Sequence, residues 1–117
     1  MEVIYTDEFE VWFLTLEASD QNAVGRVVNL LATHGVNLGN PYSSAIATAR
    51  NKIRELRTQS GGEPLRVFYA FDPKRDAVLL IGGNKTGDDR FYERMVPLAD
   101  RIFDEYLAEQ RSGRHEE

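Results

Sequence analysis

Arg66 stands in the middle of the run LRVFYAF, between apolar neighbours, and Lys85 follows a glycine pair at the end of a second apolar run, AVLLIGG. Cations held on a rigid sheet are what a protein needs to grip a polyanion. Arginine offers a planar fork that fits two phosphate oxygens, and lysine a compact charge. Lys52, Arg54 and Arg57 lie upstream in KIRELRT, and Arg90 and Arg94 lie downstream. Phosphoryl transfer at such a site needs charge stabilisation on the phosphate oxygens, a proton acceptor and a proton donor. The two histidines, His34 at a predicted helix end and His115 in the tail, are not placed for that work. It falls to Lys85, Tyr92 or a carboxylate such as Asp88. An unperturbed lysine is a poor base near neutral pH, so a lysine base demands strong tuning.

Each of these residues also has a purely structural use. An exposed, ion-paired arginine is ordinary on a half-buried strand, which is the alternative for Arg66. Lys85 can be a solvated loop residue, and Tyr92, beside Phe91, can be core. Arg57 can pair with Glu55 on the sheet, and Arg90 and Arg94 with Asp89 or Glu93. Other chemistries find no support in the sequence. There is no cysteine, no zinc-ligand cluster, no Ser–His–Asp set and no P-loop, and GGNKTG shares a P-loop's composition without its glycine spacing. No metal or cofactor is expected.

The formal net charge of −5 argues against a nucleic-acid binder until it is divided along the chain. Residues 1–49 hold six acids and one base, Arg26. Residues 50–94 hold ten bases and seven acids, and residues 95–117 three bases and six acids. The local field around the middle segment, not the total, guides a phosphate backbone. The acidic remainder weakens nonspecific affinity for free nucleic acid.

The elements that position these residues can be read from periodicity. At 117 residues the chain is read as one domain, residues 1–110, with a polar, frayed tail at 111–117. Glu2 to Tyr5 reads as a short strand. Thr6 or Asp7 caps a helix carrying Phe9, Trp12, Phe13 and Leu16, with a capping-box spacing from Asp7 to Glu10. Ser19 caps a second helix carrying Val24, Val27, Val28 and Leu31, ended by Gly35. Residues 36–50 read as a connecting loop with room for one helical turn. KIRELRT is strand-like; if regular, it puts Lys52 and Arg54 on one face and Arg57 on the other. The DPKRD turn makes an antiparallel hairpin of the two apolar runs. Phe91, Met95, Leu98, Ile102 and Tyr106 form one helical stripe, and Pro97 predicts a break near Val96. The acidic N-terminus, MEVIYTDEFE, has no signal-peptide pattern, and no run is long enough to span a bilayer. With the absence of cysteine, this fits a reducing cytoplasm.

Six words in order, TDEFEVWFLTL, GVNLGNP, IRELR, LRVFYAFDP, AVLLIGGNKTGDDRFY and PLADRIFDEYL, resemble the RelE/ParE superfamily of type II toxin–antitoxin toxins, and its HigB-like branch in particular. The resemblance runs from about Val3 to Leu107. It implies an α+β fold: an antiparallel sheet of about four strands, two N-terminal helices on one face and a C-terminal helix closing one end. It implies a ribosome-dependent, metal-independent mRNA endoribonuclease, held inactive by a cognate antitoxin. The 2′-hydroxyl attacks the adjacent phosphorus, leaving a 2′,3′-cyclic phosphate and a 5′-hydroxyl. Carried onto this sequence, Arg66, Lys85 and Tyr92 are catalytic, and Lys52, Arg54, Arg57 and Arg90 bind RNA. The chain departs from several HigB-like enzymes in having no histidine near the site. Two other readings share the fold: a ParE-like gyrase inhibitor and a non-catalytic relic that still binds its antitoxin.

Overall fold

The computed structural model describes residues 1–113; His115 lies outside them. Five strands form one sheet in the order β1-β5-β4-β3-β2. The strands are β1 (Val3–Tyr5), β2 (Ser43–Ala45), β3 (Arg54–Ser60), β4 (Glu63–Phe71) and β5 (Ala77–Asn84). The helices are α1 (Asp7–Leu14), α2 (Ala18–His34) and α3 (Phe91–Gly113). None of the described helices is long and apolar enough to cross a membrane.

The sheet therefore departs from the expected four antiparallel strands in two ways. β1 runs parallel to β5, with Val3 opposite Ala77 and Tyr5 opposite Leu79. Thr6 fixes this edge. Its hydroxyl accepts from Phe9 N at 3.1 Å, capping α1, and lies 2.9 Å from the carbonyl oxygens of both Leu79 and Leu80. With Thr6 as N-cap the reciprocal position is Phe9, so the Asp7–Glu10 capping box does not form. Second, the segment read as a loop contributes β2, which pairs antiparallel with β3 from Ser43–Leu56 to Ala45–Arg54. The helical turn expected in that segment is a single 3-10 turn at Gly35–Asn37.

The apolar runs of β4 and β5 have side chains for two cores. One face carries Leu56, Leu65, Val67, Tyr69, Ala77 and Leu79 and packs on Phe9, Val24, Val27, Val28 and Leu31 of α1 and α2. The other carries Phe68, Ala70, Val78 and Leu80 and packs on Phe91, Met95, Val96, Ala99, Ile102 and Phe103 of α3. α3 thus covers the second sheet face rather than closing an end. Strands apolar on both sides require both faces covered. Trp12, Phe13 and Leu16 are only half-buried at the edge of the first core.

Two local expectations also change. α2 begins at Ala18 with Glu17 as N-cap, two residues earlier than a Ser19 cap would place it. Pro97 does not break α3, which is continuous to Gly113 and takes in the start of the tail read as frayed. Pro97 and Glu93, whose carbonyl loses its donor, are both on the exposed side, where water can satisfy it. Met95, Val96 and Ala99 meanwhile hold the helix to the sheet, and packing outweighs propensity. Gly82, Gly83 and Asn84 are the last three residues of β5, which puts Lys85 just past the strand end.

Candidate active site

Antiparallel pairing of β3 with β4 places Arg57 opposite Arg66 and Glu55 opposite Phe68. All four side chains share the face that α3 covers, because residues two apart on a strand point the same way. α3 adds Tyr92. Its ring meets Phe68 and Phe91 edge-on, which aims the hydroxyl at the sheet. Gly83 makes this approach possible: a Cβ there would lie 2.8 Å from the Phe91 ring.

Glu55 is the hub. It is 3% exposed. Its Oε1 accepts from the Tyr92 hydroxyl at 2.7 Å, and its Oε2 from Arg57 Nη2 at 3.3 Å and Ser44 Oγ at 3.4 Å. Arg66 Nε lies 3.4 Å from Oε1, close enough for an ion pair, but its N–H is not aimed at that oxygen. Arg66 directs Nη1 to the Leu65 carbonyl at 3.0 Å instead. The Nε atoms of Arg57 and Arg66 are both buried without a hydrogen-bond partner. Lys85 Nζ stands 5.3 Å from the centre of the Tyr92 ring, and Lys85 N donates to the Pro64 carbonyl at 2.9 Å, holding the strand end against β4.

One carboxylate therefore faces two guanidinium groups, with an ammonium beyond the tyrosine. The surplus is positive and the arginines retain donor capacity, which suits an oxyanion. Burial pushes the Tyr92 phenol up, and the Glu55 hydrogen bond adds to this, while Arg66 opposes it. Tyr92 is a phenol throughout the neutral range, with its proton directed at the Glu55 carboxylate behind it and its oxygen free to accept from outside.

Of the sequence candidates, the structure brings Arg57, Arg66, Lys85 and Tyr92 together. It does not add Lys52 or Arg54. Lys52 precedes β3, and both residues line a hollow with Ala45 and Phe71. Arg54 Nε is held by Ser43 Oγ at 3.1 Å and the Tyr69 hydroxyl at 3.3 Å, on the opposite sheet face. Arg90 is exposed in the turn before α3, and among the described residues its side chain makes no hydrogen bond or ion pair with the cluster. Asp88 pairs with Arg94 at 2.8 Å, which holds its carboxyl below the usual range and commits it elsewhere. Sequence reasoning gave Glu55 no more than a pairing role with Arg57. That contact is present, but the carboxylate's link to Tyr92 depends on a helix docking that periodicity does not contain.

Residues 11–104, a span that includes all five cluster residues, match the family model described as phage derived protein Gp49-like (DUF891). The chain is 34% identical over 115 residues to "Putative toxin HigB3" of Mycobacterium tuberculosis, covering 97% of this chain and 99% of that protein. It is 32% identical over 106 residues to "Putative toxin HigB2" of the same organism, covering 88% of this chain and 53% of that protein, so it spans about half the latter's length. No solved structure matches the chain.

Proposed function

This chain belongs to the phage-derived Gp49-like (DUF891) family, and from that premise we propose that it is the toxin of a type II toxin–antitoxin system, an endoribonuclease acting at the Glu55, Arg57, Arg66, Lys85 and Tyr92 cluster. The observation that carries this reading is the unbalanced site: two arginines and the Tyr92 hydroxyl meet one buried carboxylate, and Lys85 stands over the Tyr92 ring. The toxin names of the two relatives and the likeness to HigB-like members of the RelE/ParE superfamily support it.

In this mechanism Arg66 and Arg57 hold the non-bridging oxygens of the scissile phosphate. The 2′-oxygen forms a bond to phosphorus and the bond to the 5′-oxygen breaks. The 2′-hydroxyl proton passes to the Tyr92 oxygen as the Tyr92 proton moves to Glu55. Lys85 supplies positive charge and a proton to the departing 5′-oxygen. Tyr92 acts as a relay, since a phenol whose pKa is raised gives up its proton only when an acceptor is in place. The products are a 2′,3′-cyclic phosphate and a 5′-hydroxyl end, and no step uses a metal. The ribosome aligns the message, which a small acidic protein holds weakly by itself. A cognate antitoxin neutralises the toxin.

Primer extension on a translated message tests this, with and without EDTA and with translation blocked. Expected are discrete cleavages that survive EDTA, require translation and disappear in Arg66→Ala and Lys85→Ala. Toxicity retained in both variants without RNA cleavage would instead indicate a gyrase inhibitor. An inert wild type that still binds antitoxin would indicate a relic.

A further inference from the structure

Tyr42 is an exposed aromatic residue that shares a hollow with Arg57 and Arg66 and that the proposed chemistry leaves unused. It is 46% exposed, and its position is fixed by backbone alone: its N–H donates to the Gly39 carbonyl at 3.1 Å and its carbonyl accepts from Arg57 N at 2.8 Å. Two hollows adjoin at this residue, and both are lined by Tyr42, Arg57, Thr58 and Gln59. One continues to Arg66. The other continues over the sheet edge to Arg26 and Asn29 on α2. The edge is open because β2 is short: its pairing with β3 ends at Leu56, leaving the outer side of Thr58 to Ser60 without a strand. Arg26 is exposed and is the one base among residues 1–49, otherwise an acidic stretch.

We propose that Tyr42 stacks a nucleobase adjoining the scissile phosphate, and that Arg26 holds the next phosphate beyond it, so that single-stranded RNA crosses the sheet edge from Arg66 to α2. An exposed aromatic ring between cations is a sequence-tolerant platform, since every base has a π-face and successive phosphates need positive charge on either side. The ring's fixed backbone means that little ordering is required on binding. The subsite rests on the endoribonuclease reading for its scissile phosphate, but its recognition of RNA can be measured without cleavage.

Two measurements separate the two. The first is cleavage of a titrated message in a translation extract by wild type, Tyr42→Ala, Tyr42→Phe and Arg26→Ala. The second is binding of a labelled 2′-O-methyl oligoribonucleotide, which cannot be cut, by the same proteins. Tyr42→Ala should raise the message concentration for half-maximal cleavage and the oligonucleotide Kd by about tenfold or more, leaving the maximal rate nearly intact. Tyr42→Phe should behave as wild type, and Arg26→Ala should weaken binding and flatten its salt dependence. Wild-type binding that depends on Tyr42 without any cleavage would preserve the subsite and overturn the nuclease reading. Unchanged Tyr42→Ala behaviour in both assays overturns the subsite. So does an equal loss in Tyr42→Phe. A Tyr42→Ala protein that handles RNA normally but escapes its antitoxin overturns it too, by making this edge a protein-binding surface.

Discussion

Glu55 holds its place by electrostatics that cut both ways, and that makes it the sharpest single-residue test. It compensates Arg57 and Arg66 and accepts the Tyr92 proton donor. Glu55→Gln keeps the shape, removes the proton acceptor and leaves two partly buried guanidiniums with less compensation. Cleavage should fall by orders of magnitude, and the folded state should lose roughly 1–3 kcal/mol, because a charged partner left unmatched costs more than a neutral hydrogen bond. Arg66→Ala should behave differently. Removing one preorganised charge-stabilising donor lowers turnover by about 10²–10³-fold, but it also relieves the positive surplus, so the urea midpoint should move far less than in Glu55→Gln. Primer extension and urea melts on both variants decide the matter. Equal stability losses with retained cleavage would make the cluster a structural ion network. Residue type and strand alternation put Arg57 apart from Lys52 and Arg54, whereas Lys85 and Tyr92 were singled out by the family resemblance and not by any local pattern. Glu55 was not legible, because its role arises where β3, β4 and α3 meet, and no local pattern encodes that meeting.

Among the elements, the two apolar runs and the DPKRD turn were readable because alternation and turn chemistry act locally. What escaped depends on long-range fit: the parallel pairing of β1, the short β2 and the passage of α3 through Pro97. β5 shows the point. Its pairing with β4 slips between Phe68 and Tyr69, from Ile81 to Leu79, so a bulge at Leu80 lets Leu80 and Ile81 both reach the α3 side and returns Gly82 to the α1 side. A Cβ at Gly82 would fall inside the Trp12 ring. Gly82→Ala should therefore cost about 1–3 kcal/mol as an overpacked site. Gly25, mid-helix with nothing within 4 Å of a built Cβ, should gain roughly 0.5–1 kcal/mol as alanine. Urea melts of the pair give opposite signs if this packing is right. Trp12 itself is half-buried, so truncating it should cost less than the roughly 3–5 kcal/mol of a fully buried aromatic. The turn and α3 are joined by pH-sensitive contacts as well. The buried Asp72 carboxylate accepts from Lys74 N, Asp76 N and the Tyr106 hydroxyl, and burial with that carboxylate drives the Tyr106 phenol well up. Above about pH 10 the unfolded chain has released its tyrosine protons while folded Tyr106 and Tyr92 still hold theirs. The unfolded state then binds fewer protons, so stability is full through the neutral range and falls as pH rises. Tyr106→Phe should flatten part of that alkaline fall in melts between pH 8 and 11; an unchanged profile would show that the tie contributes nothing.

At the scale of the whole molecule, the helices lie in two layers on opposite faces of the sheet. The cationic cluster faces α3, whereas α1 and α2 carry acids and an unfilled apolar hollow lined by Tyr5, Phe9, Phe13, Leu14, Val24 and Val28. Glu10 is in its lining, and Val11 and Leu14 of the same helix are 67% and 75% exposed. An apolar hollow edged by the Glu10 carboxylate fits an amphipathic segment with a basic flank, and under the toxin reading that segment belongs to the antitoxin. Docking there leaves the cluster uncovered, so neutralisation would come from bulk that keeps the toxin off the ribosome rather than from a plug in the site. Leu14→Glu puts a charge in the middle of the contact at an exposed position and should leave both the fold and cleavage intact. It should weaken antitoxin binding by at least tenfold in calorimetry and restore toxicity on coexpression. Arg66→Ala should bind antitoxin with wild-type affinity, because it lies on the other face. Binding to wild type should also weaken somewhat as salt is raised, since Glu10 is exposed and its charge is screened. Wild-type affinity in Leu14→Glu, or lost affinity in Arg66→Ala, would move the antitoxin from the α1–α2 hollow to the catalytic face.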